Sequence, residues 1–503
     1  MALAKTKAVA LFGLNGTLID VEADISSNLP NFILVGLPDA SLSEATSRVR
    51  AACTNSGLSL PGRRITVNLS PASVPKRGSS FDLAIAVSVL AASGALNQEA
   101  AGEWLHVGEL ALDGSIRGVN GVLPSLLAAK ELGWSRFIVP NENLAEAEVI
   151  EEIEVFGFDH LTQVASFHGS DVQPLAAGNE AKINREQQSN QLCYSDVLGQ
   201  PEVIESMVVA ATGGHHLLMV GSPGSGKTMV AERLPSILPR LTAEQAIETA
   251  AVESLSGLPA GISFDAPFRA PHHNSSASSL IGGGLSVPRP GLISMAHNGV
   301  LFLDEAPEFQ QPALEALRQP LEAGEVFISR AAGVARFPAR FQLIMAANPC
   351  PCGYAWDPTK RCKCVEPVKS RYLNRLSGPL LDRIDISLRV NNVPKAMQKE
   401  RGPVSSQLRE RVTAARDFGA ARLAKTPWRL NAQVPGAYLR RQWKPNGNAT
   451  AALDKALERG LLSMRGYDRC IRLAYSIADL EQVASPTAEH IARAMYLRGT
   501  ELG

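Results

Sequence analysis

The run Gly221, Ser222, Pro223, Gly224, Ser225, Gly226, Lys227 and Thr228 fits the spacing GxxxxGK[ST]. Those residue types in that order have a defined chemistry. Glycines let a backbone wrap closely around a polyphosphate with its N–H groups turned inward. A lysine at the seventh position reaches the terminal phosphates, and the hydroxyl after it can hold Mg²⁺. The pattern is short enough to arise as a mere glycine-rich turn, so its flanks decide. His216 to Val220 is an apolar run of strand type, and Met229 to Leu238 has helical spacing. A strand, a glycine loop and a helix whose N-terminus adds positive potential under the phosphates is the context the motif needs.

A second run, Val300 to Glu305, is an apolar strand ending in two acids. A strand of that kind carries Asp304 to a sheet edge, where it can hold the Mg²⁺ shell, and leaves Glu305 to polarise an attacking water. Alone, it would equally suit a buried strand capped by solvated acids; beside the loop, the catalytic reading is preferred. Phe341 to Asn348 is a third apolar strand with a polar end. Asn348 could orient the lytic water, although a strand-end asparagine most often makes a turn.

Four of the seven cysteines fall close together, as Cys350-Pro-Cys352 and Cys362-Lys-Cys364. Four thiolates can close a tetrahedral Zn²⁺ site. The CxC spacing is less usual than CxxC, so free thiols and a redox pair stay open beside zinc. If metal binds, its role would be to stiffen a loop next to Asn348. Cys53, Cys193 and Cys470 are scattered and read as small buried hydrophobes. His272 and His273 are adjacent in sequence and so point in different directions, which favours hydrogen-bonded roles over ligation.

These residues must be positioned by a large chain. Its 503 residues suggest two or three domains, and 45% hydrophobic content is that of a folded globular protein. Lys plus Arg and Asp plus Glu both number 49; zero net charge neither demands nor excludes nucleic acid, because a groove can be basic on an acidic body. There is no run of about 18 apolar residues and no signal-peptide layout, so a cytosolic protein with no membrane partner is expected. Residues 1–165 alternate strand-like and helical runs and predict an α+β unit. Residues 166–191 have linker composition. Residues 192–392 predict an α/β nucleotide core with inserts, one of them a β-hairpin turning near Gly333. Residues 393–503 predict a helical lid.

The order of motifs resembles AAA+ ATPases of the magnesium-chelatase-like group, in particular the YifB/ComM family. The segments carrying the resemblance are Tyr194 to Gln200, the phosphate loop, Arg269 to His273, Asn298 to Glu305, Ile328 to Ala331, Asn348 to Gly353 and Arg375 to Asp385. The resemblance implies an ATP- and Mg²⁺-dependent motor that assembles as a homo-oligomeric ring, a hexamer, and drives DNA branch migration in recombination and natural transformation. It implies that Arg383 is an arginine finger for a neighbour's γ-phosphate and that Arg465 is a lid-borne sensor of nucleotide state; an ordinary surface ion pair is the alternative for each. Arg375 and Arg469 are weaker candidates for the same work. It places Arg330 and Arg336 on a hairpin facing single-stranded or branched DNA, where they would grip phosphates without regard to sequence, unless both pair with acids.

The first 165 residues resemble the Lon-protease (S5-like) fold through Asp113 to Gly121 and Phe137 to Glu142. Ser80 falls where a nucleophile would stand. A Ser–Lys dyad also needs a lysine, and the matching place holds Val122 and Leu123, so no peptidase is expected. Lys76 and Arg77 could touch a phosphate backbone, but a solvated loop is the simpler reading. Two other functions compete: a remodelling ATPase of chelatase type acting on a protein partner, and a module using ATP only as a switch. The acid pair and Arg383 argue against the switch, since both serve turnover.

Overall fold

The computed structural model describes residues 2–175, 192–257, 261–284, 288–330, 333–356, 362–393 and 401–499. Most of the expected linker and Ala331 of the hairpin motif lie outside them. The described residues form two large sheets, three two-stranded ribbons and a terminal set of helices.

The first sheet has seven strands: β1 (Ala2–Phe12), β2 (Asn15–Ser26), β3 (Asn31–Val35), β4 (Arg64–Ser70), β5 (Leu105–His106), β6 (Arg136–Pro140) and β7 (Glu154–Phe158). Their order is β3-β4-β2-β1-β5-β6-β7. The centre is antiparallel, with Phe12 opposite Asn15 at a tight turn, and β5, β6 and β7 run parallel to β1. Helix Asp82–Ala92 is buried at every position; an apolar surface all round suits only a helix enclosed by the rest of its domain. The expected linker does not begin at residue 166. Helix Leu161–Phe167 crosses that point, and His168 is buried with its Nε2 2.9 Å from Nε2 of His106. The polar composition that marks 166–191 belongs mainly to residues beyond this packed histidine.

The second sheet has five parallel strands, β8 (Leu217–Gly221), β9 (Phe268–Arg269), β10 (Val300–Leu303), β13 (Gln342–Ala347) and β14 (Ile386–Val390), in the order β9-β10-β13-β8-β14. β8, β10 and β13 are buried throughout, which is why each reads as an unbroken apolar run rather than an alternation. Between β10 and β13 the chain makes an antiparallel hairpin of β11 (Glu325–Arg330) and β12 (Gly333–Pro338). Val326, Ile328, Ala335 and Phe337 are its buried face; Phe327, Arg330, Val334 and Arg336 are exposed.

The two sheets are not independent. A side chain at Gly13, in the β1–β2 turn, would sit 3.3 Å from Cβ of Ala335, so the turn lies against the hairpin. Ala250 and Ala251, on helix Ala243–Leu255, share a core with Val9, Leu105 and Val122 of the first domain. Beyond residue 401 the chain is helical, with Ser405–Leu423, Gly436–Gln442, Gly447–Glu458, Met464–Leu480 and Ala488–Leu497. Their apolar residues join one core with β8, β14 and helix Pro201–Gly213. No helix among the described residues is long and apolar enough to cross a membrane.

Candidate nucleotide site and four-cysteine loop

In a parallel sheet the strand C-termini open onto one edge, and ligands collect there. Here the neighbouring strands β10, β13 and β8 end at Leu303, Ala347 and Gly221, so the residues just beyond them, Asp304, Asn348 and the loop from Ser222, converge. Thr228 Oγ1 donates to Asp304 Oδ2 at 2.7 Å. Lys227 Nζ donates to the carbonyls of Gly221 and Ser222 at 2.7 and 3.0 Å and to Asn348 Oδ1 at 3.3 Å. Burial lowers the Lys227 pKa, and the charges of Asp304 and Glu305 oppose that shift. Gly224 and Gly226 turn the loop with φ of 80° and 86°, left-handed values that side chains resist.

Glu305 takes φ 51° and ψ 43° with no glycine to ease it. Strain of that kind persists where the surroundings fix it. Its N–H donates to Asp304 Oδ1 at 2.9 Å, and its half-exposed carboxylate lies 3.5 Å from Nδ1 of His273. The backbone twist keeps Asp304 inward on Thr228 and turns Glu305 outward.

The arginines named by resemblance are held within the chain. Arg383 donates to Glu322 and to the Pro379 carbonyl. Arg465, three-quarters exposed, pairs with Asp382 at 3.3 Å. Arg375 pairs with Glu308 at 3.5 Å. Arg469 is buried, donates to the Ile384 carbonyl and lies 3.7 Å from Asp385. Asp385 also faces His215 Nδ1 at 3.2 Å, and His215 Nε2 meets Ser476 Oγ at 2.8 Å. Burial alone would raise the Asp385 carboxyl; the hydrogen bond and charge from His215 and the Arg469 guanidinium outweigh it and hold it below the usual carboxylate range. Asp382 to Asp385 therefore ties the edge of the second sheet to helix Met464–Leu480.

The four cysteines converge. Cys350 and Cys352 sulfurs are 3.4 Å apart, Cys350 and Cys362 3.7 Å, Cys352 and Cys362 3.6 Å, and all four Sγ lie within 4.8 Å of one another. Thiolates bound to Zn²⁺ at ~2.3 Å in a tetrahedron are about 3.8 Å apart, so the donor set fits that ion. Backbone N–H groups of Tyr354 and Lys363 bring Cys352 down to about 6, whereas burial pushes Cys350 up to about 12. His272 and His273 do not point apart as expected: their rings lie 4.1 Å from each other, tilted by 34°, and neither joins the cysteine group.

On the hairpin, Arg336 forms a two-pronged bond to Glu325, Nε at 2.6 Å and Nη2 at 2.5 Å, with its guanidinium 6.0 Å from the Phe327 ring. Arg330 donates to the carbonyls of Gly284 and Ser329 at 3.0 and 2.8 Å. So Arg336 meets an acid and Arg330 does not. In the first domain Lys76 is not on a solvated loop: it is fully buried and donates to the Pro71 carbonyl. Leu123 is also fully buried, on helix Val122–Glu131.

Three residues escaped sequence reasoning. Gln200 Nε2 donates to the Ser225 carbonyl at 2.6 Å, bracing the loop from outside; it ends the segment Tyr194 to Gln200, but nothing in its type marks it. His215 stands one residue ahead of the apolar run His216 to Val220 and carried no signal of its own. Gly353 has φ 81°, and a side chain there would come within 2.5 Å of Cγ and Cδ of Pro223 in the phosphate loop.

The family model described as Magnesium chelatase, subunit ChlI matches residues 193–398; Subunit ChlI of Mg-chelatase matches 21–143, and Magnesium chelatase, subunit ChlI C-terminal matches 402–498. The chain is 46% identical over 504 residues to an uncharacterised protein of Mycobacterium tuberculosis, covering 99% of each. It is 41% identical to the competence protein ComM of Haemophilus influenzae, covering 99% of this chain and 98% of that protein, and 39% identical to the uncharacterised protein YifB of Escherichia coli, covering 100% and 98%. A partial likeness, 27% over 184 residues, links 34% of this chain to 23% of the Lon protease of Mycolicibacterium smegmatis.

Proposed function

This chain belongs to the YifB/ComM family of magnesium-chelatase-like proteins, and from that premise we propose that it is an ATP-hydrolysing ring motor acting on DNA in the cytoplasm, promoting branch migration in recombination and natural transformation. The observation that carries the ATPase half is the convergence of Thr228 on Asp304 and of Lys227 on Asn348 across three adjacent strand ends. Full-length likeness to a competence protein supports the DNA half.

Bound Mg²⁺ supplies a Lewis acid that offsets charge on the terminal phosphates; Thr228 and Asp304 would hold it. The backbone N–H groups from Gly224 to Thr228 bind the phosphates, and Lys227 neutralises them. Glu305, turned outward by its left-handed backbone, accepts the proton of the attacking water, which Asn348 orients. Arg383 exchanges Glu322 for a neighbouring subunit's γ-phosphate, so catalysis requires a ring, a hexamer in this reading. Arg465 reports nucleotide state from a lid formed by the C-terminal helices. Arg330 and Arg336 meet DNA phosphates in the channel, with Arg336 released from Glu325 on binding. The first 165 residues serve as a non-proteolytic Lon-like domain, and the four cysteines hold structural Zn²⁺.

A strand-exchange assay on a branched DNA substrate tests the proposal. ATP should drive exchange and a non-hydrolysable analogue should not; ATP turnover with neither DNA binding at low salt nor exchange would defeat the DNA half. The family models, all of chelatase subunits, favour a second reading, a remodelling ATPase acting on a protein. Turnover stimulated by a protein partner and indifferent to DNA would select it.

A further inference from the structure

The four-cysteine loop lies against the phosphate loop, and their contact has a specific geometry. Cys350 follows Asn348 by two residues, and Asn348 is bonded to Lys227. Three residues further on, Gly353 takes φ 81° and lies flat on Pro223, leaving no space for a Cβ: the ring atoms of Pro223 would be 2.5 Å away. Cys350 is fully buried, and its carbonyl accepts from the Gly353 N–H at 2.9 Å. The cysteine loop therefore reaches the nucleotide site twice, through the chain at Asn348 and through space at Pro223. Gly224 and Gly226 make the phosphate loop pliable by itself, and a pliable loop gives up binding free energy when it is ordered around a ligand.

We propose that the metal held by Cys350, Cys352, Cys362 and Cys364 is a strut for the phosphate loop: with Zn²⁺ in place Gly353 is fixed against Pro223, the loop is held in its phosphate-binding shape, and nucleotide affinity depends on metal occupancy. This rests on the zinc reading above and is independent of whether the motor acts on DNA. The chemistry is coordination only: the four thiols give up their protons to solvent, and the resulting thiolates displace water from the ion.

The test uses full-length protein, measuring zinc per chain by elemental analysis and affinity for a fluorescent ATP analogue by titration. The protein as purified should contain about one zinc per chain; a value of zero overturns the zinc reading itself. Stripping the metal with a chelator, with far-ultraviolet circular dichroism unchanged, should weaken analogue binding about tenfold, and restoring Zn²⁺ should reverse it. Gly353→Asn should weaken binding to a similar degree while keeping its zinc, because asparagine tolerates left-handed backbone but carries a Cβ into Pro223. Pro223→Ala in that background removes the colliding atoms and should recover most of the loss. Unchanged affinity in the stripped protein, or in Gly353→Asn, overturns the strut.

Discussion

The two sheets carry similar reactive side chains and treat them in opposite ways. In the first domain Lys76 is fully buried on a single backbone carbonyl, Asp82 is clamped by Arg48 at 2.7 and 3.0 Å, and His106 is held between Thr6 and His168 at 2.8 and 2.9 Å. Each is turned inward, satisfied by its own domain. In the second sheet, Lys227, Thr228, Asp304 and Glu305 stand just past the ends of parallel strands, where the sheet opens. What separates chemistry from packing here is which end of a strand a residue occupies and what closes over it. In the first domain β5 also leads through glycines (Gly108, Gly114, Gly118, Gly121) into a helix, Val122–Glu131, but that helix starts on Val122 and Leu123 with no lysine or hydroxyl to meet a phosphate.

Substitutions can break or sharpen this contrast. The largest effect is expected for Arg383→Ala, which should lower ATP turnover about 1,000-fold while leaving nucleotide binding in place, as removal of a transition-state guanidinium does; phosphate release and analogue binding measure the two separately. Glu305→Gln should lower turnover about 100-fold or more by the same assays, with binding kept, because it removes the base and not the cradle. In the first domain the corresponding change acts on folding. Arg48→Ala leaves the buried Asp82 carboxyl without its guanidinium partner and should cost about 3 kcal/mol in urea unfolding, with nucleotide affinity of the folded fraction unchanged.

Acid should act mainly through buried histidines. Burial holds His168 at about 4, and burial with the charge of His168 holds His106 well below its ordinary value; in the nucleotide domain burial holds His216 at about 4. These rings stay neutral in the fold while the unfolded chain takes up protons from about pH 6.5 downward. Their contribution is present above pH 6.5 and is lost as pH falls toward 4, by about 3 kcal/mol for His168. Denaturant midpoints at pH 7 and pH 5 check this. The smallest effect is expected for Ser80→Ala, which should change neither turnover nor stability measurably, and peptide hydrolysis should be absent before and after.

Legibility in the sequence followed physics. The nucleotide strands were readable because parallel strands buried on both faces are continuous apolar runs, and the loop because its glycines and lysine are few and spaced. The cysteine cluster was visible because thiols are rare. The partners of His215, Gln200 and Gly353 were not, since they are set by residues far along the chain: Asp385 and Ser476 for the histidine, Ser225 for the glutamine and Pro223 for the glycine. The β1–β2 hairpin has a signal of its own, a two-residue turn Gly13-Leu14 with glycine first, followed at once by Asn15-Gly16, and was legible although it went unremarked. Glu325 lies eleven residues from Arg336, and only the register of β11 against β12 makes them neighbours.

The seating of the amino-terminal turn on the hairpin, with Ala250 and Ala251 sharing a core with Val9 and Val122, has a practical side. A truncated fragment starting near residue 192 would lose the cover from an oily patch on the nucleotide domain, and such fragments clump. Anyone wishing to study the engine alone would do better to silence the front end by point changes than to cut it away.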